Sequence, residues 1–337
     1  MPRVLLPAAL LLTAVLSACG GGASSPATLD LEVEGGTSLA VGAPARLTAV
    51  LRGPGGEPRP AAVTYTSSQP GVIGVDAQGQ LMVKRLTATG RPVQLTASAD
   101  GRRATLEVST YGLELAVGTY VWNLQAQGAA PGRFVAVRYR PEREDAGVQA
   151  ATYTVTAPGD ERLTCALSQN AVERFCWWAE ADAARYPAGE YRARLVQNGV
   201  TYTATASLPE PGALLGFVNG ATATLEGRAV TFAGQVPAHA GWLYAYLGKP
   251  RLATAALAGP RLRGSAVVRG QGQAGDPQAV SVYATTLPAT LNVGAAVPAG
   301  TYNTWITAMS GDLSSFDEVL PEQFNVSATF GGAVTLR

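Results

Sequence analysis

Residues 188–208 read AGEYRARLVQNGVTYTATASL, and this stretch decides the fold class of the chain. Asn198 and Gly199 separate two runs in which apolar and polar residues alternate, which is the pattern of half-buried β-strands. A two-residue turn of type I′ needs positive φ at both positions, and Asn-Gly accepts this conformation readily. The stretch therefore predicts an antiparallel β-hairpin.

The same period of two recurs along the rest of the chain. LDLEVE, for example, places Leu29, Leu31 and Val33 on one face of a strand. The 39 glycines and 22 prolines among 337 residues favour many turns, and no long amphipathic helical stretch interrupts the strands. The net charge of +1 gives no indication of a nucleic acid or another polyanion as a partner. These patterns predict an all-β protein.

The first candidate domain covers residues 27–110. Residues 64–83 read TYTSSQPGVIGVDAQGQLMV, and residues 93–108 read VQLTASADGRRATLEV. Together they resemble the bacterial immunoglobulin-like domain, group 2, although Tyr65 stands where that family usually carries Trp. The resemblance implies a β-sandwich with Tyr65 as the core aromatic residue and a hairpin turn over residues 76–79.

Two further β-sandwiches are expected, over residues 111–210 and 211–337, because the chain is long enough for several domains and each part holds short strands broken by Gly and Pro. PAGEY at 187–191 and PAGTY at 298–302 share a Pro-Ala-Gly-x-Tyr pattern. This pattern resembles the late strand of fibronectin type III modules, where a tight turn leads into a strand that carries a Tyr. The fold prediction is thus a series of tandem immunoglobulin-like β-sandwiches.

The N-terminus predicts a location. An arginine precedes the apolar run VLLPAALLLTAVL, which is too short for a comfortable membrane-spanning helix and is typical of a secretory signal. LSAC at 16–19 resembles the bacterial lipobox, which implies a signal peptide over 1–18 and a lipidated Cys19 followed by a flexible tether to residue 26. Gly20 is not the aspartate that retains many lipoproteins in the inner membrane, so the outer membrane is favoured. The alternative is an ordinary signal peptide with an accidental cysteine.

The other two cysteines, Cys165 and Cys176, form an even pair in a chain expected to reach an oxidising compartment. We expect a disulfide that closes the ten-residue loop ALSQNAVERF between them. The alternative is two buried free thiols.

The chain offers little for catalysis. Its one histidine, His239, would have to serve any Ser-His-Asp triad or imidazole metal site, and no Gly-x-Ser-x-Gly motif is present. Glu180 and Asp182 form a carboxylate pair beside two tryptophans, for which a surface turn is the simpler interpretation. The acidic stretches at 141–147 and 311–318 match no known calcium loop. We therefore expect no enzyme activity, no metal and no cofactor other than the covalent lipid.

Trp177 and Trp178 are adjacent, so in a strand they point to opposite faces. One ring can enter the core while the other, with Tyr186 nearby, forms a contact site for carbohydrate or protein. The alternative is that both rings pack around the disulfide. Three other tryptophans in alternating strands are expected in the core: Trp122, Trp242 and Trp305.

Together these observations predict a non-enzymatic, lipid-anchored protein of the cell envelope that acts as a structural, spacer or adhesion module through protein–protein contacts. One alternative is a module that binds carbohydrate or peptidoglycan. The other is an accessory subunit of an envelope complex.

Overall fold

The computed structural model describes residues 27–123, 132–143, 149–167, 175–180, 186–210, 212–248, 262–264, 279–313 and 316–337. The predicted signal peptide, Cys19, the tether to residue 26 and Asp182 lie outside these ranges. All the regular secondary structure within these ranges consists of β-strands, which confirms the all-β prediction. None of the described residues belongs to a helix long and apolar enough to span a membrane.

The strands, in chain order, are β1 (Thr28–Val33), β2 (Ser38–Ala40), β3 (Pro44–Arg52), β4 (Pro58–Arg59), β5 (Thr64–Ser67), β6 (Ile73–Val75), β7 (Gln80–Val83), β8 (Val93–Ala99), β9 (Arg102–Asn123), β10 (Gly132–Arg140), β11 (Ala151–Thr156), β12 (Arg162–Leu167), β13 (Phe175–Glu180), β14 (Gly189–Gln197), β15 (Val200–Leu208), β16 (Asn219–Glu226), β17 (Ala229–Gln235), β18 (Trp242–Gly248), β19 (Leu262–Gly264), β20 (Ser281–Ala284), β21 (Ala289–Asn292), β22 (Gly300–Met309) and β23 (Val326–Leu336).

Strand β9 organises the fold. It runs for 22 residues without interruption. Its first half pairs with β8 in antiparallel and with β2 in parallel orientation, and its second half pairs with β10 and, in parallel, with β23. The position between residues 110 and 111, where the sequence predicts a domain boundary, therefore lies inside one continuous strand rather than in a linker.

The last strand of the chain, β23, lies inside the largest sheet. That sheet follows the order β19-β13-β10-β9-β23-β22-β18-β20 within the described ranges. β23 thus joins β9 to β22, and strands from residues 111–210 and 211–337 are hydrogen-bonded into one sheet.

Three smaller layers pack on this large sheet and complete a sandwich in each part of the chain. They are β1-β3-β7-β6 with β4 at its side, β12-β11-β14-β15, and β16-β17-β21. Apolar side chains from the small layer and the large sheet meet in each core, as aligned sandwiches require. Buried residues from the two sides include Leu47 and Leu95 in the first part, Leu195 and Val137 in the second, and Phe232 and Ile306 in the third.

The hairpin that decides the fold class forms as predicted. Asn198 and Gly199 have φ angles of 51° and 77°, as a type I′ turn requires. Gln197 lies opposite Val200, so the register of β14 and β15 starts directly at the turn.

The two Pro-Ala-Gly-x-Tyr motifs form the same local structure. The Tyr191 hydroxyl donates a hydrogen bond to the Pro187 carbonyl, and the Tyr302 hydroxyl donates one to the Pro298 carbonyl, both at 2.9 Å. The motif glycines have φ angles of 132° and 146°, which other residues rarely adopt. A tyrosine bonded to backbone a few residues upstream is the tyrosine corner of immunoglobulin-like sandwiches.

In the first sandwich, Gly79 ends the predicted turn with a φ angle of 80°. A Cβ atom there would lie 2.2 Å from the Leu47 carbonyl oxygen, so both conformation and space require glycine. Tyr65 is half-buried against the core, and its hydroxyl accepts a hydrogen bond from the Ala49 amide at 3.2 Å.

Candidate functional site

The two cysteines confirm the predicted disulfide. Cys165 on β12 and Cys176 on β13 are bonded, with their Cα atoms 6.5 Å apart. Because β12 belongs to a small layer and β13 to the large sheet, the bond joins the two layers of the second sandwich. Both side chains are buried.

The tryptophan pair occupies opposite faces of β13, as alternation predicts. Trp178 packs in the core beside the disulfide, and Tyr186 is also buried there, with its carbonyl accepting a hydrogen bond from Arg133 Nε at 3.1 Å. Neither ring is accessible to a partner. Trp177 is half-buried and faces the other side of the sheet. Of the three residues predicted to form a contact site, only Trp177 lies where a ligand can reach it.

Trp177 lines a cavity of about 290 Å³ on that side of the large sheet. One wall is made by Tyr244 and Tyr246 of β18 and Tyr283 of β20, all half-buried. Tyr244 and Tyr246 are two residues apart on one strand, and Tyr283 lies directly opposite Tyr244 in the sheet. The ring centroids are 5.0 Å apart for Tyr244 and Tyr246, and 4.9 Å apart for Tyr244 and Tyr283.

The other wall comes from β10 and β13. Phe134 stacks on Trp177 with 5.8 Å between ring centroids and an interplanar angle of 21°. Phe134 also stacks on Phe324 at 5.3 Å, while Phe175 adds another ring to the lining. Apolar contacts of this kind hold Trp177 in place with one part of its ring open to the cavity.

Polar groups in the cavity lining are few. Asp312 is the only carboxylate that the described lining contains, and it is 4% exposed. Burial raises the pKa of Tyr283, and the neighbouring Tyr244 and Asp312 raise it further. Burial also raises the pKa of Tyr246 and of Tyr120, another lining residue. The phenols of Tyr283, Tyr246 and Tyr120 therefore remain protonated at neutral pH.

Tyr244, Tyr246 and Tyr283 were missed at the level of sequence, and Asp312 was considered only as part of the acidic stretch at 311–318. The signal that could have found Tyr244 and Tyr246 is the pattern of GWLYAYLG at 241–248, where aromatic residues alternate with aliphatic ones. Leu243, Ala245 and Leu247 lie in the core of the third sandwich, whereas the Tyr244 and Tyr246 rings point to the other face of β18. Trp242, expected in the core, is half-buried on the aromatic face, while Trp305 is buried and the Trp122 side chain lies outside the described residues.

A cluster of charged residues joins the first two sandwiches. The Glu114 side chain on β9 is fully buried, and its Oε2 accepts a hydrogen bond from Arg138 Nε at 2.5 Å. Arg85 Nη1 lies 3.8 Å from Glu114 Oε1, too far for a hydrogen bond. Desolvation lowers the pKa of Arg85, and the Glu114 charge opposes this shift. We call these three residues the ionic junction.

Phe316, which follows β22 in the chain, contacts the same region through Arg138 and Arg140. Arg140 donates to the Thr87 carbonyl at 2.7 Å and to the Phe316 carbonyl at 3.3 Å. The Arg140 and Arg138 guanidinium groups lie 4.7 and 5.1 Å from the centroid of the Phe316 ring, which is cation–π geometry. These contacts join residues from all three parts of the chain and have a structural role.

Of the remaining catalytic candidates, the structure describes the side chain of His239. His239 is exposed in a turn with a φ angle of 67°, and the Glu180 side chain lies outside the described residues. Within the described part of the chain, no group of three or more His, Cys, Asp or Glu residues is placed to hold a metal ion. In the acidic stretch at 311–318, the Glu318 carboxylate accepts a hydrogen bond from the Asp312 amide, and the Asp317 carbonyl accepts one from Arg91.

No family model matches the chain, so the resemblance of residues 27–110 to the group 2 bacterial immunoglobulin-like domain stays a prediction. No curated protein matches its sequence. Similar solved structures include domains 4–9 of the surface layer protein SbsC, at 10% identity over 91% of this chain and 65% of that chain, with a TM-score of 0.18. They also include the three N-terminal domains of the outer capsid protein Hoc of bacteriophage RB49, at 11% identity over 93% and 98% of the two chains, with a TM-score of 0.18. The four N-terminal immunoglobulin domains of Dscam1 match at 9% identity over 86% and 74%, with a TM-score of 0.17. At such scores the function has to be argued from the residues of this chain.

Proposed function

We propose that the chain is a non-enzymatic module of the bacterial cell envelope that is anchored by lipid and holds β-sandwiches away from a membrane for contact with other envelope components. The observation that supports this best is β9, which connects the first sandwich to the shared sheet without a linker. At about 3.3 Å per residue, its 22 residues correspond to a strand of roughly 70 Å. Because the strand is continuous, it fixes the distance between the first sandwich and the shared sheet, as a spacer must.

The anchor is supported by the lipobox resemblance at residues 16–19. A thiol is the soft nucleophile that lipid transfer uses, and the mature N-terminus would carry two or more acyl chains, enough for stable attachment to a bilayer. Gly20 at the next position favours the outer membrane. The disulfide between Cys165 and Cys176 agrees with an oxidising compartment.

The non-enzymatic assignment is supported by His239, the one histidine, which is exposed in a turn. The carbohydrate alternative relied on an accessible aromatic pair, and with Trp178 and Tyr186 in the core it loses most of its support. The role of an accessory subunit remains the alternative that the capture experiment below addresses.

The anchor is tested by growing cells with an alkyne-tagged fatty acid and fractionating their membranes. We expect label and membrane attachment in the natural chain, and loss of both in Cys19→Ala. The matched control replaces Cys165 and Cys176 together by alanine, which removes the other cysteines and leaves the lipobox intact. A Cys19→Ala chain that stays labelled and membrane-bound would overturn the anchor.

The module role is tested by capture of the native protein from gently solubilised envelopes, followed by mass spectrometry, with Cys19→Ala as the control. A structural or adhesion role predicts recovery of one or two envelope proteins in stoichiometric amounts, and a fixed complex of several subunits would favour the accessory role. Retention of polysaccharide or peptidoglycan fragments without protein would instead support the carbohydrate alternative.

A further inference from the structure

The aromatic cavity has a composition that the spacer role does not explain. Four half-buried aromatic side chains from three strands line it, namely Trp177, Tyr244, Tyr246 and Tyr283. Aromatic rings on one face of a sheet are usually buried in a core, whereas these rings line a cavity of about 290 Å³. Small-molecule sites are of this kind: concave, mostly apolar and supplied with a few placed polar groups.

The electrostatics of the cavity select the ligand. The face of an aromatic ring carries the negative part of its quadrupole, so a cavity lined by several aromatic rings favours a cation over an anion. Asp312 adds a carboxylate to the same lining, and its position raises the pKa of Tyr283. Both effects disfavour an anion.

Sugars fit the lining less well. A pyranose presents hydroxyl groups around its whole edge and needs hydrogen-bond partners for each when it leaves water. Among the described lining residues, the polar groups are those of the tyrosines, Thr307 and Asp312, and the others, such as Met309 and Leu313, are apolar or aromatic. A cation with apolar substituents matches this surface because its charge needs ring faces and a carboxylate rather than directed donors.

We propose that the cavity formed by Trp177, Tyr244, Tyr246, Tyr283 and Asp312 binds a methylated ammonium group, as found in free choline and in choline headgroups. The rings enclose the methyl groups, and the carboxylate neutralises the charge. The proposal goes beyond the envelope role and does not depend on the lipid anchor, since the five named residues belong to the described sandwiches.

The first experiment is calorimetric titration of the Cys19→Ala chain with choline and with 3,3-dimethylbutan-1-ol, which has the same shape and no charge. If ring faces and Asp312 recognise the charge, choline binds at least about 10-fold more tightly than the alcohol. Equal affinity for the two, or binding of methyl glucoside without binding of choline, would overturn the proposal.

Variants identify the site. Tyr244→Leu removes a ring face, and we expect choline affinity to fall by about 3- to 30-fold, with a smaller loss in Tyr244→Phe because the ring remains. Asp312→Asn keeps the side-chain volume and should weaken choline but not the neutral alcohol. Trp242→Leu is the matched control: Trp242 lies on the same face of β18 but not in the described lining, so affinity should not change. Unfolding curves of each variant report whether the fold is retained, and unchanged affinity in a folded Tyr244→Leu chain would overturn the site.

Co-sedimentation of the same unlipidated chain with phosphatidylcholine vesicles distinguishes the two sources of the ligand. Vesicle binding that free choline displaces indicates a lipid headgroup, while choline binding without vesicle binding indicates the free compound. Vesicle binding that choline does not displace would count against this cavity as the site.

Discussion

Removal of the Glu114 carboxylate is the perturbation for which the structure predicts the largest loss of stability. Glu114 is the carboxylate that forms ion pairs with two arginines in the ionic junction: Arg138, whose side chain is fully buried, and Arg85, whose side chain is 11% exposed. In Glu114→Met the volume is kept, but both guanidinium groups lose their ion-pair partner, and Arg85 keeps only the weaker electrostatic influence of Glu322. Removing one partner of a buried ion pair costs about 3–5 kcal/mol, because a charge is left uncompensated in a poorly solvated place.

The three residues do not contribute equally, and this asymmetry is the sharper part of the prediction. Arg138→Met leaves Glu114 with Arg85 at 3.8 Å, so a compensating charge remains and the cost should be smaller, about 2–3 kcal/mol. Adding Arg138→Met to Glu114→Met removes the more deeply buried of the two orphaned charges. The double variant should therefore be more stable than Glu114→Met alone, by about 1 kcal/mol or more.

The measurement is urea unfolding at neutral pH, followed by tryptophan fluorescence, with free energies compared at matched slopes. Glu107→Met serves as the control, since Glu107 lies exposed on the same strand and its replacement should change stability by no more than about 0.5 kcal/mol. If Glu114→Met costs as little as Glu107→Met, the junction does not hold a buried charge. If the second substitution lowers stability further, the argument from charge compensation is wrong.

Three further predictions concern stability. Tyr191→Phe and Tyr302→Phe each remove the hydroxyl of a tyrosine corner, so a backbone carbonyl loses its hydrogen-bond partner. Each should lower the free energy of unfolding by about 0.5–2 kcal/mol in denaturant titrations. No change in either variant would show that the corner hydrogen bond is dispensable. Replacing Cys165 and Cys176 by alanine opens a loop with a sequence separation of 11 and should lower the free energy of unfolding by about 3 kcal/mol through chain entropy. The measurement compares the variant with the natural chain, with and without reductant. An oxidised natural chain no more stable than the variant would contradict this prediction. Burial raises the pKa of Tyr191 to about 12, above the value near 10 of an unfolded chain, so its stabilising contribution is complete below pH 10 and is lost as the pH rises towards 12. Unfolding curves across this range should fall less steeply for Tyr191→Phe than for the natural chain, and parallel curves would refute the assignment.

The local features of the fold could be predicted because residues that are close in sequence determine them. Asn198-Gly199 sets a turn and a register through backbone angles alone. The proximity of Cys165 and Cys176 left only one pairing once Cys19 was assigned to lipid. The Pro-Ala-Gly-x-Tyr motifs hold the donor, the acceptor and the required glycine within five residues.

The assembly of the sandwiches could not be predicted because it depends on pairing between distant strands. β23 pairs with β9 in parallel, with Val326 opposite Tyr120, more than two hundred residues away along the chain. Alternation in each strand is compatible with many partners and does not specify which one it joins. The ionic junction was missed for the same reason, since Arg85, Glu114 and Arg138 come together only when β9 is placed between its neighbours.

The aromatic cavity shows that alternation within one strand does not determine which face of the strand is buried. In WLYAYLG both sets of alternate residues are apolar, so the pattern says that the two faces differ without saying which face is inside. The structure buries Leu243, Ala245 and Leu247 and leaves the larger rings half-buried. Burying the rings would have removed more apolar surface from water, and exposed apolar surface on a monomer often marks a binding site. A chain that keeps three tyrosines and a tryptophan around an open space beside a carboxylate is therefore less stable there than one that buries them, as the proposed ammonium site would require.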